Sequence, residues 1–224
     1  WGCGSLGPWL RLAFHNALAW SLTGHVAHRE RALQALRKTA EVLPDFVDKW
    51  TGNEHHESLN AAYAYDLLAA AGLDHADDAL LRDLLERLVG ALNRATHRYC
   101  NNHNAMHMQG KLAVAASLGN LDYIHEVLYG CLDNATWRYG LIHLLRHDFL
   151  GDGLQWEGSI SYHALVVFMV GDMFTVLENL GVDLWHRAWP SLRQNDGYDE
   201  HRNWGPKIEK PFQNAFEALL YSMF

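Results

Sequence analysis

The stretch SISYHALVVFMVGDMFTVLENL, residues 159–180, decides how the chain folds. Its length suits about six turns of α-helix, and its middle, Ala164 to Val170, is apolar without a break. No single stripe marks an outward face, so the pattern predicts a helix covered on all sides by others. The unbroken apolar run is far shorter than the roughly 20 residues that a membrane span needs, and no membrane segment is expected.

Helical spacing recurs on both sides of this stretch. Upstream it covers Leu10–Leu22, Ala27–Trp50 with Pro44 as a break near its end, and Leu59–Ala71, which stops at Gly72. Asp77–Arg98, His103–Leu118, Leu121–Leu132 and Thr136–His147 follow, and Leu184–Leu192 and Lys207–Phe224 close the series. No stretch alternates apolar and polar residues over five or more positions, so strands are not expected. The fold class is therefore all-α. Short turns between the helices predict antiparallel helical hairpins, and an up-down bundle, a solenoid and an α/α toroid all remain open. The apolar 159–180 helix suits the inner ring of a toroid.

Composition narrows the classes further. The 224 residues are 49 % hydrophobic and 20 % charged, which describes a globular chain. One domain spanning 1–224 is expected, belonging to a longer parent chain, because residue 1 is Trp and the apolar pattern at Leu219–Phe224 simply stops. A net charge of −8 and a pI near 6.0 argue against a general nucleic-acid binder, which would carry a basic stripe. Cys3, Cys100 and Cys131 form no CxxC pair, so neither a disulfide framework nor a cysteine zinc site is indicated.

Two polar, aromatic-rich stretches are not explained by helix building. The first runs from Arg98 to His107 and contains Asn101, Asn102 and His103. Asn101 and Asn102 are natural helix caps, but a cap has no need of His103 and His107 as well. Those two histidines are i,i+4 neighbours, as are His143 and His147. Either pair could fill two positions of a metal site, yet neither carries the glutamate of HExxH, and no metal is expected. The second stretch, Asp148 to His163, places Asp152, Trp156 and Glu157 in a loop and Tyr162 and His163 in the first helical turn. Trp156 offers a flat face on which a sugar ring could stack. Taken singly, each of these residues has a structural explanation.

Together they resemble the heparinase II/III-like and alginate lyase polysaccharide lyases. The likeness rests on Asn101-Asn102-His103 and on Asp152, Gly153, Glu157, Ser159, Tyr162 and His163, which match a D-G-x-x-x-E-x-S-x-x-Y-H pattern in its internal spacing. It covers about residues 40 to 224. The resemblance implies an incomplete α/α toroid and β-elimination on a uronic acid of an anionic polysaccharide, with neither metal nor organic cofactor. Asn102 and His103 would neutralise the substrate carboxylate and Tyr162 would act as general acid and base. Arg98, Asn101, His107, Trp156, Glu157 and His163 would contact substrate. It also implies a periplasmic or secreted protein. The family usually carries a β-sandwich after the toroid, and this chain has no strand-rich part there.

The charge of −8 opposes a polyanion, so attraction must be local, through Arg98, Lys111, Arg138, Arg146 and the histidines. Two rival readings stand beside the lyase. One is an α/α-barrel glycoside hydrolase with Asp152 and Glu157 as its carboxylates. The other is a non-catalytic helical interaction module, for which a repeat period would be needed and none is found.

Overall fold

A computed structural model describes residues 6–43, 55–95, 102–133, 136–149, 155, 159–190, 209–212, 215 and 217–218. The protein is all-α, with eight helices among the described residues and two very short antiparallel strand pairs. The chain divides into two compact units, Trp1–Ala95 with Ala113–Leu121, and Thr96–Leu112 with Asp122–Phe224.

The first unit is built on α1 (Gly7–Thr23), α2 (Val26–Val42), α3 (His55–Ala69) and α4 (His75–Ala95). Pro8 sits in the first turn of α1, where its missing N–H is no loss, and Gly24 ends the helix with φ 71°. Helix α2 ends at Val42 with Leu43 as its C-cap, and the part of the expected Ala27–Trp50 helix beyond Leu43 lies outside the described residues. Helix α1 packs on α2 and α3, and α4 packs on the same two helices. Leu10, Leu33, Leu36, Leu68, Leu81, Leu84, Leu85 and Leu88 fill the core. Each contributes about 1.5–3 kcal/mol by leaving water. Buried Ala61, Ala62 and Ala64 let α3 approach its neighbours closely. Polar ties complete the unit. Arg37 donates twice to Asp77, at 2.7 and 2.6 Å, and the Tyr65 hydroxyl donates to Asp78 at 2.7 Å.

Helix α5 (Asn102–Leu118) contributes its last turns to the first unit, where the Ser117 hydroxyl donates to the Ala62 carbonyl at 3.2 Å. Its earlier part belongs to the second unit. There it is followed by α6 (Leu121–Tyr129), the paired strands β1 (Cys131–Asp133) and β2 (Thr136–Arg138), α7 (Leu141–His147), α8 (Ile160–Asn179), and the paired strands β3 (Ala188–Pro190) and β4 (Glu209–Pro211). Phe149, Phe174, Trp185 and Phe212 form an aromatic core against α8, with ring centroids 4.9–6.3 Å apart. Cys131 carries a free thiol.

The structure corrects several expectations. The helix expected over Thr136–His147 is strand β2 followed by α7, because Gly140 is extended (φ −95°, ψ 178°) and sits against α6's end. A Cβ on Gly140 would strike the Gly130 nitrogen and lie 2.6 Å from the Leu128 carbonyl oxygen, so glycine is required there. Within the helix expected over Leu184–Leu192 the described residues form a turn leading into β3, and within that expected over Lys207–Phe224 Glu209–Pro211 form β4. Helix α8 is not covered on all sides. Val166, Val167, Val170, Phe174 and Leu177 are buried, whereas Ile160, Tyr162, Leu165 and Phe168 are exposed. By length and composition alone α8 could cross a membrane; here its buried side is core. The enclosed helix is α5, in which Asn102 and every residue from Asn104 to Ala115 are buried. Periodicity misses this because α5 carries polar residues inward and satisfies them: Gln109 donates to Asp172 at 2.9 Å, and Lys111 pairs with Glu126 beneath the Tyr123 ring.

Candidate functional site

The head of α8 is organised by three residues with different tasks. Ser159 is the N-cap, accepting from the Tyr162 N–H at 3.4 Å and lying 3.0 Å from the Ser161 hydroxyl. Four residues on, His163 is 1 % exposed and both ring nitrogens engage backbone. Its Nδ1 accepts from the Gln155 N–H at 3.1 Å, and its Nε2 donates to the Ala215 carbonyl at 2.9 Å. The two bonds fix the tautomer as Nε2–H. They also pin Gln155 and Ala215, 8 and 52 residues away in sequence, to the same helical turn. The substrate contact expected of His163 is corrected: its nitrogens are committed to the fold. Tyr162, between cap and pin, is 47 % exposed.

Asp148 and Gln155 were not singled out by the sequence. Asp148 is fully buried where α7 ends, and its carboxylate accepts from Gln155 Nε2 at 3.4–3.5 Å. The Phe149 ring packs edge-on against His163, 6.3 Å between centroids. The end of α7 and the head of α8 therefore form one packed corner.

The head of α5 holds the other expected residues. Asn102 is the first helical residue and is buried, so it is not the cap that the sequence suggested. His103 is half-buried, and His107, one turn on, is 3 % exposed. Burial at this level leaves the His107 ring unable to meet a polymer from solvent without movement, against the expectation of a substrate contact. Both helix heads lie in the second unit, and α5 and α8 are joined by the Gln109–Asp172 hydrogen bond. Burial pushes the Asp172 carboxyl above its ordinary value, and the Gln109 bond works in the opposite direction. Arg98, Asn101, Asp152, Gly153, Trp156 and Glu157 lie outside the described residues.

Tyr139, two residues ahead of α7, stacks on His143 of that helix (3.9 Å, 13° between planes) and His143 on His147 (4.0 Å, 22°). No group of three or more metal-ligating side chains converges among the described residues, here or at His103 and His107. Of the cations expected to attract a polyanion, Lys111 is taken by Glu126. Arg146, in the last turn of α7, is half-buried, and its Nε is buried without a hydrogen-bond partner. A buried donor left unpaired costs about 1–3 kcal/mol, and more on a charged group. No protein-family model matches this chain, and no characterised protein matches it either.

Proposed function

We propose that the protein is a polysaccharide lyase that cleaves a uronic-acid-containing polysaccharide by β-elimination, on an incomplete α/α toroid of helical hairpins, in a periplasmic or secreted setting. The observation that carries the reading is the contrast at the head of α8. His163 is buried and held by backbone at both nitrogens, while the adjacent Tyr162 phenol stands in solvent. A turn so firmly anchored, ending in an exposed phenol, is a preorganised proton donor rather than a packing residue.

The chemistry sets the remaining requirements. The C5 proton of a uronate is α to a carboxylate, and an ionised carboxylate is a poor electron sink. Donors must first neutralise it. Asn102 and half-buried His103 supply them from the head of α5. A donor of this kind is worth about 3–4 kcal/mol of transition-state stabilisation. Tyr162 then protonates the O4 leaving group and, where the C5 hydrogen lies on its face, removes that proton as well. Bond making and breaking balance: the C5–H pair forms the C4–C5 double bond as the C4–O4 bond breaks.

The test is absorbance near 235 nm on a panel of polyuronates, where elimination creates a conjugated chromophore and hydrolysis does not. Tyr162→Phe should lower kcat about 10²- to 10⁴-fold with binding retained, and Asn102→Ala about 10²- to 10³-fold. Turnover unchanged in Tyr162→Phe removes the phenol from the mechanism. Reducing ends that appear without the chromophore identify a hydrolase instead.

A further inference from the structure

We propose that Arg146 and His143 on α7, with Tyr139 just ahead of the helix, form a second binding element, which takes an oxyanion carried on a sugar, carboxylate or sulfate. The identity of the polymer rests on the lyase reading; the presence of an anion site does not.

The argument starts from Arg146. Among the described residues it is the one arginine with a buried nitrogen that lacks a hydrogen-bond partner. Arg37, Arg82 and Arg87 are held by Asp77, Asp78 and Asp83, and Arg11, Arg31, Arg94 and Arg187 are exposed, where water satisfies them. The C-terminal dipole of α7 favours a cation in its last turn, but that attraction needs no buried Nε. A guanidinium fork with an unmatched donor can pair with two oxygens of one oxyanion, a planar carboxylate or a tetrahedral sulfate alike.

Its surroundings fit such a ligand. His143 and Arg146 share the half-exposed side of α7, three residues apart, opposite buried Leu141, Leu144 and Leu145. The Tyr139, His143 and His147 rings, stacked one on the next, hold that side of α7 rigid beside Arg146. The end of α7 is fastened to the head of α8 through Asp148, Gln155 and His163, so the helical turn that carries Arg146 is anchored within the second unit.

The experiment titrates two oligosaccharides into Tyr162→Phe protein, which holds but does not cleave them: an unsulfated oligouronate and a sulfated glycosaminoglycan fragment. Adding Arg146→Gln should weaken binding of the preferred oligomer about tenfold or more and reduce its salt dependence, while the melting temperature of the free protein stays level or rises. The oligomer preferred identifies the oxyanion. Equal affinity, or a melting temperature lowered by several degrees, overturns the proposal, the latter because Arg146 would then be holding the fold. If neither oligomer binds, the lyase reading fails and the anion site is judged on sulfate and glucuronate ions alone. Heat protection of the Arg146 protein that Arg146→Gln lacks upholds the site; equal protection overturns it.

Discussion

Tyr162 and His163 are neighbours in the chain and face opposite ways in the fold. In the sequence the two look alike, a phenol and an imidazole in one helical turn, and both were expected to meet substrate. What separates them is the position of Gln155 and Ala215, 8 and 52 residues away, which no local pattern records. The division of labour predicts opposite responses. His163→Phe puts a larger, apolar ring in a buried site and removes the ring's hydrogen bonds to the Gln155 N–H and the Ala215 carbonyl, so it should destabilise the protein by about 2–4 kcal/mol. Tyr162→Phe removes an exposed hydroxyl and should change stability by about 0.5 kcal/mol or less. Urea unfolding of the two variants separates the roles; equal losses would mean that His163 is no more a structural pin than Tyr162.

At the scale of elements, helices were legible where one face is apolar and a glycine closes the segment, as at Gly24 and Gly72. They were illegible where a contact distant in sequence overrides periodicity, as at Gly140 against Gly130, or where polar residues are turned inward and satisfied, as along α5. The pair α3 and α4 carries a testable electrostatic tie. Asp78 is held below the usual carboxylate range by the Tyr65 hydroxyl first and Arg82 second. Its contribution is therefore complete above a pH of about 4 and is lost as pH falls through the depressed value. Tyr65, pushed up to about 12 by burial and then by Asp78, contributes below its unfolded value near 10 and loses that contribution as pH rises toward 12. Tyr65→Phe removes the titrating phenol and the donor to Asp78 together. The variant should lose less stability than the parent on both the acid and the alkaline limb, measured as urea midpoints from pH 3 to 11. Curves that stay parallel at both ends would show that the tie contributes nothing.

The whole molecule raises a question of sign. With its histidines neutral the chain carries −8, and full protonation of its 15 histidines would carry it to +7, so the long-range field reverses near the pI of about 6.0. A polyuronate therefore approaches against repulsion at pH 8 and with attraction below pH 6, whereas Arg146 presents a fixed positive charge at both. The Debye length is about 10 Å at 0.1 M salt, so added salt screens the distant field and also weakens contacts at the surface. These two effects fall on different rate constants. Encounter is governed by the distant field, so raising salt from about 0.02 to 0.2 M should speed association at pH 8 and slow it at pH 5.5. Release is governed by local charge contacts, so salt should speed dissociation at both pH values, and equilibrium binding should tighten as pH falls. Surface-plasmon kinetics with an immobilised oligouronate and Tyr162→Phe protein reads all four rates. Association slowed by salt at pH 8 would mean that a locally focused positive field outweighs the net charge even at a distance, placing the cations at the mouth of a narrow cleft. Binding that is flat from pH 8 to 5.5 would remove the histidines from recognition altogether.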